Sequence, residues 1–78
     1  MKGLEGMLEF LSFLRSKKIS YKIEQQRDDS LMITFTLVGV RVEIDFFVDH
    51  FEFSYFKGSE QVECDRDTLM RLIAENWD

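Results

Sequence analysis

The hydrophobic period of this chain changes once, from 3.6 to 2, and then stays at 2 through four successive runs. Leu4, Met7, Leu8, Leu11 and Leu14 recur at helical spacing. Phe10 and Phe13 widen the stripe, and Glu5, Glu9, Ser12 and Ser16 leave only a narrow polar strip opposite. Arg15, Lys17 and Lys18 fall in the last turn, where cations suit the negative end of the helix dipole. The spacing predicts a helix over 4–17, more deeply packed than a surface helix usually is. From Ile19 onward apolar and polar residues alternate, and a pattern of period 2 does not form an amphipathic helix.

Four alternating runs follow. Ile19, Tyr21 and Ile23 open a strand over 19–26; Leu31, Ile33, Phe35 and Leu37 make the second; Val40, Val42, Ile44 and Phe46 the third; Phe51, Phe53 and Tyr55 a fourth over 51–57. Each reads as a half-buried antiparallel strand. Parity tests the connections, because a slip of one residue turns every side chain to the wrong face. A two-residue loop at Val38-Gly39 pairs Leu37 with Val40 and Ile33 with Ile44. A two-residue loop at Asp49-His50 pairs Phe46 with Phe53 and Phe47 with Glu52. A three-residue loop at Arg27-Asp28-Asp29 pairs Gln26 with Ser30. All three keep one apolar face, which predicts a four-stranded meander.

Lys57-Gly58-Ser59-Glu60 reads as a loop, with a short extended piece around Val62 and Cys64. Asp65 or Asp67 suits the N-cap of a second helix, whose apolar face is Leu69, Met70, Leu72, Ile73 and Trp77. The expected fold is α+β: a two-layer, four-stranded antiparallel meander with N- and C-terminal helices on one face, in the order α-β-β-β-β-α. At 78 residues the chain makes a single domain, 1–78. The chain has eight Phe, an unusual number, and no Pro to interrupt a strand.

Charge narrows the partners. Fifteen acidic residues against ten basic ones give a net charge of −5, opposite to what a nucleic-acid binder needs. A basic partner is favoured instead. The single cysteine, Cys64, excludes an internal disulfide and a cysteine-cluster metal site and suits a cytoplasmic location. Glu5 and Glu9 interrupt what would otherwise be an export-signal core, and no uncharged run approaches the roughly 20 residues of a membrane span.

The outward side of the meander is the informative surface. The expected pairings set Glu24, Met32, Asp45 and Ser54 in one row and Lys22, Thr34, Glu43 and Phe56 in the next, with Phe47 and Glu52 at one end. Met32, Phe47 and Phe56 are then apolar residues ringed by Glu24, Glu43, Asp45 and Glu52. Such a face can dock on a basic protein, the rings supplying area and the carboxylates steering. The plainer alternative is that Phe47 packs under a loop and Phe56 beneath the 57–65 connection.

The remaining candidates read more simply. His50, alone beside Asp49, is a turn residue without a nucleophile or second ligand. Asp28-Asp29 lacks the oxygen spacing of a calcium loop. Cys64, with only Arg66 near in sequence, is a filler rather than a reactive thiol. Glu60, Glu63, Asp65 and Asp67 either complement a helix dipole or extend the acidic surface. Trp77 either closes the core over the first helix or anchors an interface. No Gly-rich phosphate loop, Ser/His/Asp set or Cys/His pattern is present, so neither catalysis nor a cofactor is expected.

Tyr21, the Arg27-Asp28-Asp29 turn with Leu31-Met32-Ile33, and the run Gly39-Val40-Arg41-Val42-Glu43-Ile44-Asp45-Phe46-Phe47 resemble a group of small bacterial immunity-type proteins. These belong to toxin–immunity loci, including contact-dependent inhibition systems. The closing helix, which starts acidic and ends in Asp78, is similar too. The resemblance covers about two-thirds of the chain. It implies a stoichiometric inhibitor whose acidic surface covers a cognate toxin domain, often a basic nuclease. A homodimeric structural or scaffold protein is the other expectation, built on the first helix with its off-stripe Phe10 and Phe13, or on an edge strand.

Overall fold

The computed structural model describes residues 3–57, 59–63 and 66–77, with 57 and 59–63 described through their backbone alone. The elements are α1 (Leu4–Ser16), β1 (Tyr21–Arg27), β2 (Ser30–Leu37), β3 (Val40–Phe46), β4 (Phe51–Lys57), β5 (Ser59–Glu63) and α2 (Arg66–Asn76). The antiparallel meander and its flanking helices form in the expected order. The sheet runs β1-β2-β3-β4-β5, so the short extended piece is a fifth strand paired with β4. Cys64 and Asp65, candidate filler and N-cap, lie outside the described residues; Asp67 stands in the first turn of α2.

Both helices cover one face. Met7, Phe10 and Leu14 of α1 and Leu69 and Ile73 of α2 share a core with Ile33, Phe35, Val42, Ile44, Phe46 and Phe53 of the sheet. Phe10 is the hub, with its ring centroid about 6 Å from those of Phe13, Phe35 and Phe46. The face of α1 is therefore centred on Met7, Phe10 and Leu14, and Leu8, expected inside, is 76% exposed. A buried Phe is worth about 3–5 kcal/mol against Ala. An exposed ion pair such as Arg27–Asp29 is screened by water and adds little beside it. The aromatic core decides the fold, and the ion pairs only trim its edges.

Register confirms two hairpins in part and corrects one. Leu37 pairs with Val40 and Ile33 with Ile44, as parity requires. Gly39 takes φ +77 while Val38 does not turn positive, the sign pattern of a type II turn. In β1–β2, Ile23 pairs with Ile33, but a bulge between Glu24 and Arg27 brings Arg27, rather than Gln26, opposite Ser30. Between β3 and β4 the expected pairs are displaced by two residues: Phe46 faces Phe51 and Asp45 faces Glu52. The loop is longer than two residues, because the Phe47 N–H donates to the His50 carbonyl at 2.8 Å and closes a four-residue turn.

That turn also receives α1. The Leu4 N–H donates to the Phe47 carbonyl at 2.7 Å. Gly3 presses so closely on the Phe47–Val48 backbone that a side chain there would collide with it. At the other end, α1 stops in a Schellman arrangement. The Ile19 N–H reaches the Leu14 carbonyl and the Lys18 N–H the Arg15 carbonyl, with Lys18 left-handed at φ 61. Ile19 is therefore buried in the core but precedes β1, which begins at Tyr21.

Candidate functional site

The outward side of the sheet carries three rows once the β3–β4 register is set. Glu24, Met32, Asp45 and Glu52 form one. Lys22, Thr34, Glu43 and Ser54 form the next. Thr36, Arg41 and Phe56 form a third. The two-residue displacement puts Glu52, rather than Ser54, beside Asp45, and Arg41, rather than Glu43, beside Phe56. The sheet thus brings the carboxylates Glu24, Asp45 and Glu52 into line, with Glu43 one row away.

Of the three apolar residues on this face, none is bare, which for Phe47 and Phe56 is nearer the packed alternative than the open one. Met32 is 8% exposed, held between Glu24 and Asp45 on the neighbouring strands. It supports the surface from beneath. Phe56 is half-buried, with the Arg41 guanidinium carbon 4.6 Å from its ring centroid. Phe47 is half-buried as well: the His50 imidazole stacks on it at 4.4 Å with planes 2° apart, and the Arg27 guanidinium lies 5.3 Å from its centroid. Each ring already holds a cation, an arrangement worth about 0.5–1 kcal/mol at an exposed position. Sequence alternation placed the rings but was silent on their arginines, which come from cross-strand and hairpin neighbours.

The end of the sheet where the β1–β2 and β3–β4 turns meet is a dense charge cluster. Arg27 Nε donates to Asp29 Oδ1 at 3.0 Å, and this bond holds the Asp29 carboxyl below its ordinary value. His50 bridges Asp49 Oδ1, 2.7 Å from Nδ1, and Glu52 Oε2, 3.3 Å from Nε2. The Asp49 hydrogen bond is the main cause of a raised imidazole pKa, and the same bond lowers the Asp49 carboxyl. Asp45 behaves oppositely. Partial burial pushes its carboxyl up, Arg27 offsets this, and Glu52 and Asp29 add to it. Asp28 and Asp29 sit at a hairpin tip, and among the described residues no three His, Cys, Asp or Glu are grouped to hold a metal.

At the opposite end of β1 and β2 a shallow recess of about 430 Å³ is lined by Lys18, Ser20, Tyr21, Lys22, Thr34, Phe35, Thr36 and Trp77. It has no carboxylate, and Lys22, Thr34 and Thr36 of the outward rows form part of its wall. Trp77 packs on the core, as one of its two readings expected, and ties it to α1 through a hydrogen bond to Lys17. Glu60 and Glu63 fall in a strand whose side chains lie outside the described residues. Among the described residues, no helix is long and apolar enough to cross a membrane. No family model, curated protein or solved structure matches this chain.

Proposed function

We propose that this chain is an acidic protein-binding module that caps a basic protein, working as an immunity protein that binds and neutralises a cognate bacterial toxin domain. One observation carries the reading: Phe47 and Phe56 each hold an arginine against an aromatic ring, with a row of carboxylates beside them. That chemistry suits Arg and Lys side chains. The outward rows and adjoining turns bear Glu24, Asp29, Glu43, Asp45, Asp49 and Glu52 against Lys22, Arg27 and Arg41, so the field favours a cationic partner. In this reading the carboxylates stand where a nuclease would hold nucleic-acid phosphates, and the half-buried rings supply apolar area at the centre. Capture is fast at low salt and slows as salt screens the field.

The test is co-expression with the products of the reading frames flanking the chain's own coding region, scored by growth rescue and co-purification. The expected result is rescue from one toxic product and a complex that weakens with salt. The double charge reversal Glu43→Lys/Asp45→Lys should abolish both. Unchanged affinity and salt dependence in that variant would place the interface elsewhere.

A further inference from the structure

Among the described residues β1 pairs with β2 alone, and it leaves an apolar residue at the sheet edge. Ile23 lies on the helix-bearing side opposite Ile33, yet it is 47% exposed while Ile33 is fully buried. On α1, Glu9 and Phe13 face α2, lining a recess with Arg66 and Met70. At about 100° per residue, Leu4, Leu8 and Leu11 lie on the opposite flank of the helix, with Arg15 among them. Leu4 is 37% and Leu8 76% exposed.

We propose that two copies of this chain associate through β1, antiparallel and centred on Ile23, into one continuous sheet. A two-fold axis that keeps both sets of helices on one side must pass through a residue, because opposed residues then share a face. Four residues of β1 precede the bulge; centring on Tyr21, the first of them, would set its neighbours against residues 18–20 outside the strand, which leaves three centres. Centring on Lys22 lays Lys22 against itself. Centring on Glu24 lays Glu24 against itself and runs into the bulge between Glu24 and Arg27. Centring on Ile23 buries Ile23 on its copy and sets Lys22 of each chain opposite Glu24 of the other, twice per dimer. The strand is thus complementary to itself in one register only, which favours a second copy over a foreign strand. Glu43, Asp45, Phe47 and Glu52 stay uncovered, so the pairing does not depend on the function proposed above.

Sedimentation equilibrium on the full chain tests this. The expected mass is twice 9.3 kDa. Lys22→Glu and Glu24→Lys should each weaken the dimer about ten-fold, since cross-strand charge pairs contribute roughly 0.2–1 kcal/mol and two pairs change sign. The combined swap Lys22→Glu/Glu24→Lys should return affinity to within about three-fold of the original, because it restores unlike pairs in the same register. Ile23→Lys should give single chains. All three positions changed are exposed in one copy, and circular dichroism checks that each of the four variants folds. A single-chain mass at roughly 0.5 mM chain, where a dimer with a Kd of about 1 mM or tighter would be populated, overturns the proposal. So does a dimer indifferent to the single charge changes, or one that the combined swap fails to restore.

Discussion

The indole Nε1 of Trp77 donates a 2.8 Å hydrogen bond to the carbonyl oxygen of Lys17, tying the C-terminal ends of α1 and α2 together across 60 residues of sequence. The bond satisfies one of the carbonyls that a helix end leaves without an intrahelical partner. The same corner is held by the Val38 N–H, which donates to the Asn76 carbonyl at 3.0 Å. Trp77→Phe keeps most of the packing and removes the donor. It should lower stability by about 1 kcal/mol, read as a lower urea midpoint with an unchanged slope.

Lys18 occupies the position of the α1 terminus that calls for a left-handed backbone, at φ 61. A side chain there costs roughly 1 kcal/mol relative to glycine. Lys18→Gly relieves that cost and leaves the Ile19 and Lys18 backbone bonds in place, although it enlarges the unfolded ensemble. The net expectation is a gain of about 0.5–1 kcal/mol, measured by chemical denaturation at neutral pH. A loss of stability would mean that the Lys18 side chain itself is held by the recess it lines.

How far the chain could be read in advance differs by hairpin. Alternation fixed which face each strand buries, and Gly39 fixed the β2–β3 register because only a two-residue turn leaves Leu37 opposite Val40. In β3–β4 the displacement was two residues, and period 2 is blind to a slip of two. The deciding contact is a backbone hydrogen bond from Phe47 to His50, which no side-chain pattern encodes. The site inherited that error, since it moved Arg41 onto Phe56 and Glu52 beside Asp45. The bulge in β1 was equally silent, because Gln25, Gln26 and Arg27 are all polar. On α1 the counted stripe ran through Leu4 and Leu8, while the buried face follows Met7, Phe10 and Leu14; a helix apolar nearly all round does not say which side meets the sheet.

Asp45 is a carboxylate held above its ordinary pKa by the fold. Burial is the chief cause of its raised pKa, Arg27 works against it, and Glu52 adds to it. A carboxyl raised in the folded state binds its proton more tightly there than in the unfolded chain. Its ionisation therefore costs stability at pH values above the ordinary 3.8, and the cost fades as pH falls. Asp45→Asn should raise the urea midpoint at pH 7, and the two proteins should converge near pH 3. If the proposed face is right, the same variant binds a basic partner more weakly. Stability and binding would then move in opposite directions, which a purely structural role for Asp45 does not produce.

His50 gives the loop a pH dependence of the same sign at higher pH, and its partner Asp49 one of the opposite sign. Its pKa is raised above 6.5 chiefly by the Asp49 hydrogen bond, with Glu52 contributing, while the same bond lowers Asp49 below 3.8. The raised imidazole contributes stability that is complete below 6.5 and is lost as pH rises through the folded pKa. The lowered carboxyl contributes stability that is present above 3.8 and is lost as pH falls through its folded value. The His50–Asp49 lock is therefore fullest between those two values, and it holds the imidazolium flat on Phe47. All of these groups are solvent-exposed, so the readout is site-specific titration rather than global melting. Proton NMR of the His50 ring should give a midpoint above 6.5 in the native chain. Asp49→Asn should bring it down, and Glu52→Gln should bring it down by less, because the Glu52 contact is the longer of the two. In Phe47→Leu the midpoint should stay raised, since both carboxylates remain, while the ring-current shift of the His50 protons disappears.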